Sequence, residues 1–436
     1  METIQLNYGS QQVALEIEGA ASVTWLREKD IPAISDLESA FRRAVEEEAV
    51  DSPPLKELLG PEDLVTIVIS DITRFWMRQD KILEVMVDYL RREIGLPAEN
   101  IAVLVALGTH RPQTEEELKL LVTPKLYAEL QVKNHDCLAD DLVYLGTTSF
   151  GTEVRINPLA AGRKLILLSG TVHHLMAGYG GGRKSILPGI AAKSTINQNH
   201  LHSLSPDRPC SNPLIGMGVL ADNPVHADMA EAAAMAKPVF GVNIVVNGRS
   251  QHCALIAGHW DRAWQKSCRL VQENMGVPIA KKADVVIVSC GGYPKDINLY
   301  QAVKSLLNAA EGVREGGTIL FLAECREGGG APEFFDWIRP LEAGRLDQAL
   351  RESFSIAGYI FYASCEVSSR CRVFTLSRLP ADTLNHMGLG GCASVQELLA
   401  RVDFTGKDVY IMPYGGNTVP FLTAEDGAGK PGPGNL

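Results

Sequence analysis

Hydrophobic positions along the chain fall into short unbroken runs, separated by longer stretches in which apolar residues recur every three or four. The runs at 65–69, 101–107, 165–168, 239–246, 285–288, 318–322 and 409–412 are apolar or rich in β-branched residues, the pattern of strands buried on both faces. The intervening stretches at 81–93, 115–121, 263–275 and 299–310 carry amphipathic helical spacing. Strand alternating with helix predicts an α/β fold of two lobes, each built on a largely parallel sheet with helices. A boundary near 275 divides the chain into an N-terminal α/β domain at 1–275 and a C-terminal one at 276–407. The strand near 408–420 is expected to return to the first domain. The active site is expected in the cleft between lobes. The tail at 425–436, dense in glycine and proline, is expected to be disordered.

Polar residues stand at the carboxyl ends of these strands, where open α/β sheets bind ligands. Ser70-Asp71-Ile72-Thr73-Arg74 follows the first run, and Gly108-Thr109-His110-Arg111-Pro112 the second. Ser169-Gly170-Thr171-Val172-His173-His174 follows the third, and Ser289-Cys290-Gly291-Gly292 leads out of 285–288. Thr114 and Glu117 have capping-box spacing, which starts a helix just after His110 and Arg111. Arg74 reads either as the ion-pair partner of Asp71 or as an anion clamp. Asp71 is placed to orient Arg74 or a histidine. On the helix at 299–310, Lys304 lies one turn from both Tyr300 and Gln301. These three groups make a candidate carboxylate clamp.

The richest segment runs from Ala177 to Gly189, Ala-Gly-Tyr-Gly-Gly-Gly-Arg-Lys-Ser-Ile-Leu-Pro-Gly, with His173 and His174 before it and His200 after. Glycines free the backbone for close approach, and Lys184 suits a cation, a nucleophile or an attachment point. Two familiar phosphate motifs fail here. Arg183 stands where a Walker A loop needs glycine, and again where the dinucleotide fingerprint needs its third glycine. Adjacent side chains diverge, so one of His173 and His174 is expected to face a site while the other packs. His202, His226, His252, His259 and His386 are read as structural or surface residues.

Composition narrows the class. The 436 residues carry a net charge of −11, which argues against a nucleic-acid or membrane-surface binder. No apolar run approaches the roughly 20 residues of a membrane span. The first residues lack the pattern of a signal peptide. The nine cysteines form no C-x-x-C pair, as expected for reduced thiols in a cytoplasmic protein.

Taken together, Ser-Asp-Ile-Thr-Arg (70–74), Gly-Thr-His-Arg-Pro (108–112), the run from His174 to Gly189, His200, and Tyr-Gln-Ala-Val-Lys (300–304) resemble the nickel-pincer-dependent lactate racemases and related 2-hydroxyacid racemases and epimerases. The resemblance implies a pyridinium mononucleotide whose sulfur-bearing arms and ring carbon hold nickel. It implies that Lys184 carries this cofactor through a thioamide, that His200 ligates the nickel, and that Asp71, Gly180, Gly181 and Gly182 attend the cofactor. It implies that His110 and His174 are the acid/base pair of a reversible hydride transfer through a 2-keto acid. Arg74, Tyr300, Gln301 and Lys304 would then bind the substrate carboxylate. Partners would be a small 2-hydroxyacid and the proteins that make the cofactor or insert nickel; chain made without them would be apoprotein. The loop Arg74-Phe75-Trp76-Met77-Arg78 departs from the prolines usual in family members acting on lactate, so Arg78 or the aromatic pair bears on the substrate side chain. Two competing readings are a phosphate- or nucleotide-processing enzyme that uses Lys184 on phosphate, and a non-catalytic hydroxyacid-binding protein.

Overall fold

The computed structural model describes residues 2–423; the expected tail at 425–436 lies outside the described residues. The chain forms two compact units. One takes residues 2–29, 204–213 and 274–423; the other takes 30–203 and 214–273.

The second of these units is built on six strands. In spatial order they are His252–Gly258, Phe240–Val246, Lys164–Gly170, Val65–Ser70, Ile101–Ala106 and Gln131–Asn134. All neighbours are parallel except the edge strand His252–Gly258, which is antiparallel to Phe240–Val246. Strands 65–70 and 101–106 have five buried residues each, and 240–246 is buried throughout. That is why the sequence shows unbroken apolar runs there rather than alternation. Helices Leu37–Glu46, Gln79–Arg92 and Glu115–Val122 contribute Phe41, Ile82, Leu83, Met86 and Leu121 to the core on this sheet. The capping box at Thr114 and Glu117 is present and starts the last of these helices.

The other unit holds a wholly parallel sheet, ordered Gly391–Cys392, Arg372–Leu376, Val313–Leu322, Ala283–Ser289, Asp408–Met412 and Ser22–Trp25. The hairpin Glu2–Tyr8 and Gln11–Ile17 packs Ile4, Leu6, Leu15 and Ile17 into the same core as Val285, Ile287, Leu320 and Ile411. This topology corrects one expectation. The strand Asp408–Met412 does not return to the first sheet. It pairs on one side with Ala283–Ser289 and on the other with the N-terminal strand Ser22–Trp25. Its residues 409–412 are buried, so it needs a neighbour on both edges, and the chain's beginning supplies the second.

Candidate active site

Three adjacent parallel strands of the 30–203 unit deliver the polar loops. Ser70 pairs with Ala106, and Ile69 with Leu168. The loops after these strands therefore emerge side by side at one edge, as expected for a ligand-binding edge. Two buried amides, neither singled out from the sequence, fix them. Gln79 accepts from the Ser70 amide (3.1 Å) and donates to the Ser70 carbonyl (2.6 Å). Gln113 accepts from the Ile72 amide (3.2 Å) and donates to the Arg111 carbonyl (3.0 Å), tying the two loops together.

Asp71 and His110 meet across this junction, Nδ1 of the imidazole against Oδ2 of the carboxylate. The other carboxylate oxygen accepts from the Thr73 hydroxyl at 2.6 Å. Burial alone would raise the Asp71 pKa, but the hydrogen bond and charge of His110, the Thr73 hydroxyl and the Arg74 guanidinium bring it below the usual carboxylate value. Asp71 is thus an anion that fixes the ring of His110, whose side chain remains 42% exposed. Both of its oxygens are engaged by protein groups, and through one of them Asp71 positions His110. Arg74 does not bridge to Asp71. Its guanidinium accompanies the Thr73 hydroxyl (3.1 Å), while Arg78 is held by both oxygens of Asp80 (2.9 and 2.7 Å). Arg78, one of the groups that the sequence relates to the substrate side chain, is thus paired within its own loop.

His173 and His174 lie on a two-residue strand paired antiparallel with Gly178–Tyr179. His173 stacks on Tyr179 (5.1 Å between centroids) and meets Gln272 at 2.9 Å. Burial lowers its pKa to about 4. His174, the next residue, projects to the other face of the ribbon. Its Nδ1 accepts from the backbone amides of Met176 (3.3 Å) and Ala177 (3.2 Å).

In the glycine run, Arg183 and Trp264 explain most of the sequence. Arg183 is wholly buried, stacked 3.8 Å from the Trp264 ring, and donates to the Tyr179 (2.8 Å) and Ala177 carbonyls and to His226 (3.1 Å). A Cβ on Gly182 would lie 2.4 Å from Trp264 Cγ, and one on Gly181 would lie 2.7 Å from the Gly170 carbonyl oxygen. Gly180 donates its N–H to the Val172 carbonyl (2.7 Å), and Gly182 donates to Ser169 Oγ (2.8 Å). Packing demands glycine at 181 and 182, and the amides of 180 and 182 are spent inside the fold. Sequence alone carried no signal that Trp264, far along the chain, packs under this loop.

Lys184 follows Arg183 in the same turn. Burial first, then the nearby charges of Arg183 and Arg74, lower its pKa to about 7. His200 lies on helix Lys193–Leu201, almost fully buried, and its Nδ1 meets the Ile196 carbonyl at 2.9 Å. Burial and the charge of Lys184 depress its pKa to about 3, so it is a neutral imidazole at neutral pH. With Nδ1–H donated to a carbonyl, the ring's lone pair sits on Nε2. Among the described residues no three His, Cys, Asp or Glu side chains are grouped to hold a metal ion.

Tyr300, Gln301 and Lys304 belong to the other unit, on helix Leu299–Gly312, which Asn298 caps through the Gln301 amide. Lys304 donates to Gln301 Oε1 at 2.6 Å and lies 5.7 Å from the Tyr300 ring centroid. The three form one group on the first turns, as their spacing predicts.

The family model described as the lactate racemase N-terminal domain matches residues 8–210, and the lactate racemase C-terminal domain matches residues 279–355. The lactate racemase of Thermoanaerobacterium thermosaccharolyticum is 33% identical over 343 residues, 78% of each chain. That of Lactiplantibacillus plantarum is 35% identical over 317 residues, 70% of this chain and 72% of that protein. The structure of the lactate racemase apoprotein from Thermoanaerobacterium thermosaccharolyticum superposes with a TM-score of 0.85 at 27% identity, covering 96% of this chain and all of that one. A crystal structure from Thermotoga maritima shares the fold at 20% identity, with a TM-score of 0.65 over 91% of this chain and all of that one.

Proposed function

The chain belongs to the lactate racemase family and is an isomerase, and from that premise we propose that it racemises lactate or a close 2-hydroxyacid with a nickel-pincer nucleotide tethered to Lys184. The observation that carries this reading is the Lys184 amine. At a pKa of about 7, about half of it is available as a nucleophile at neutral pH, which an attachment point requires and a phosphate-binding cation does not. The phosphate-enzyme reading loses support for a second reason: the glycine amides it needs are already donated to Val172 and Ser169.

The donor set suits the cofactor. His200 offers a neutral imidazole whose Nε2 carries the lone pair, and one such ligand serves a metal that the cofactor itself holds through sulfur and carbon. When bound, that cofactor supplies a hydride acceptor. The protein's own part is proton transfer and placement. His110, held by the Asp71 anion, takes the substrate hydroxyl proton at Nε2, and Asp71 stabilises the imidazolium that forms. His174 is the second histidine of the pair. Arg74 on its loop, and Tyr300, Gln301 and Lys304 on their helix, are the groups for the carboxylate. No cysteine among the described residues is in a disulfide, which supports work in a reducing cytoplasm, where cofactor-making and nickel-inserting proteins would load the enzyme.

The test is racemisation by protein co-expressed with cofactor-making proteins. Loss of optical purity from a single lactate enantiomer supports the reading. An unchanged enantiomer, with Lys184 modified and nickel bound, would refute lactate as substrate, and a screen of other 2-hydroxyacids then tests the racemase reading itself.

A further inference from the structure

We propose that the two histidines of the pair rest in opposite tautomers, with His110 a proton acceptor toward the substrate oxygen and His174 a proton-bearing donor. The proposal rests on the racemase reading for its meaning but not for its geometry.

The partner of each Nδ1 settles its proton. At His110 the partner is a carboxylate oxygen of Asp71, which only accepts, so Nδ1 carries the hydrogen and Nε2 the lone pair. At His174 the partners are the backbone amides of Met176 and Ala177, which only donate. Nδ1 must then hold the lone pair, and in the neutral ring the hydrogen is on Nε2. These amides are not easily turned away. Buried Asn223 donates to the Met176 carbonyl (2.9 Å), in the same peptide plane as the Ala177 N–H. The Ala177 carbonyl in turn accepts from the Tyr179 amide (2.8 Å) and from buried Arg183. Rotating the His174 ring by half a turn would face both amides with a C–H group.

The consequence is an asymmetric resting enzyme. A substrate whose hydroxyl meets His110 loses its proton directly: the O–H bond breaks and an N–H bond forms at Nε2, while the cofactor, when bound, would supply the acceptor for the hydride of C2. The mirror-image substrate presents its hydroxyl to an N–H donor. It can react there only after the His174 proton has moved from Nε2 to Nδ1, which sets an N–H against the two backbone amides and loses their hydrogen bonds. His174 as it rests instead suits the carbonyl oxygen of the keto acid, a pure acceptor. Loss of one or two such hydrogen bonds corresponds to about a 5- to 30-fold slower first oxidation of one enantiomer. Steady-state racemisation still ends at an equal mixture.

Long-range proton–nitrogen correlation spectra of histidine-labelled apoprotein, recorded at mildly alkaline pH, read the tautomers without any turnover. Signals are assigned by their loss in His110→Gln and His174→Gln. The expected pattern is Nδ1–H for His110 and Nε2–H for His174, with Asp71→Asn moving only the His110 signals. The same tautomer in both rings, or Nδ1–H at His174, overturns the proposal whatever the enzyme's substrate proves to be. A protein with the expected tautomers that racemises no 2-hydroxyacid would instead count against the functional reading alone.

Discussion

Lys184 is expected to titrate near neutrality, and this is measurable on apoprotein. Its pKa falls from 10.5 to about 7, through burial and then the charges of Arg183 and Arg74. At pH 7 about half of the amines are then neutral, against roughly one in 3,000 for an ordinary lysine. The sign for stability follows from the lowered folded value. The unfolded chain binds the proton more tightly, so the charge costs the folded state most below about pH 7. The cost falls as pH rises towards 10.5 and is absent above it. A fall from 10.5 to about 7 corresponds to a ceiling of about 5 kcal/mol, reduced by the water that the partly exposed side chain still meets. Lys184→Met should therefore stabilise the apoprotein in mild acid and much less in strong base. The assay is competitive acylation at a series of pH values, with the Lys184 peptide quantified by mass spectrometry. The labelling midpoint should lie near 7, and Arg74→Gln should move it upward. A midpoint near 10.5, indifferent to Arg74, would refute the electrostatic account of the loop.

Gly182→Ala should destabilise the protein by about 2–5 kcal/mol in denaturant melting, combining left-handed strain with overpacking. It places Cβ 2.4 Å from Trp264 at a φ of +52°, and a neutral result would show that the loop has room. Arg183→Met keeps bulk against Trp264 but removes the guanidinium donors to the Tyr179 and Ala177 carbonyls. Hydrogen exchange over residues 177–184 should speed up in that variant, and unchanged protection would remove Arg183 as the loop's scaffold. His200→Ala should retain the mass adduct on Lys184 while nickel per adduct drops by tenfold or more, about the loss expected when a metal ligand is removed. Nickel retained in full would move the ligand elsewhere.

Much of the fold and part of the site were legible in the sequence. Strands buried on both faces wrote themselves as unbroken apolar runs, which put Asp71 and His110 just past strand ends; that their strands are neighbours is seen only in the sheet order. The capping box at Thr114 and the one-turn grouping of Tyr300, Gln301 and Lys304 are local features, and both appear as read. What escaped depends on distant partners. Ser22–Trp25 is a short strand of alternating exposed and half-buried residues, identifiable only once Asp408–Met412 shows an open edge. The packing need for glycine at 181 and 182 was not legible because Gly170 and Trp264, which impose it, lie elsewhere in the chain. Gln79 and Gln113 gave no signal, since a buried amide and a surface amide look alike until their backbone partners are known.

The central claim is tested most directly by incubating cofactor-loaded protein with one pure enantiomer of lactate and following both enantiomers by chiral chromatography. The account predicts convergence on an equal mixture from either starting enantiomer, lost in Lys184→Ala. A pure enantiomer that stays pure, in protein shown by mass and metal analysis to carry the Lys184 adduct and nickel, would contradict it.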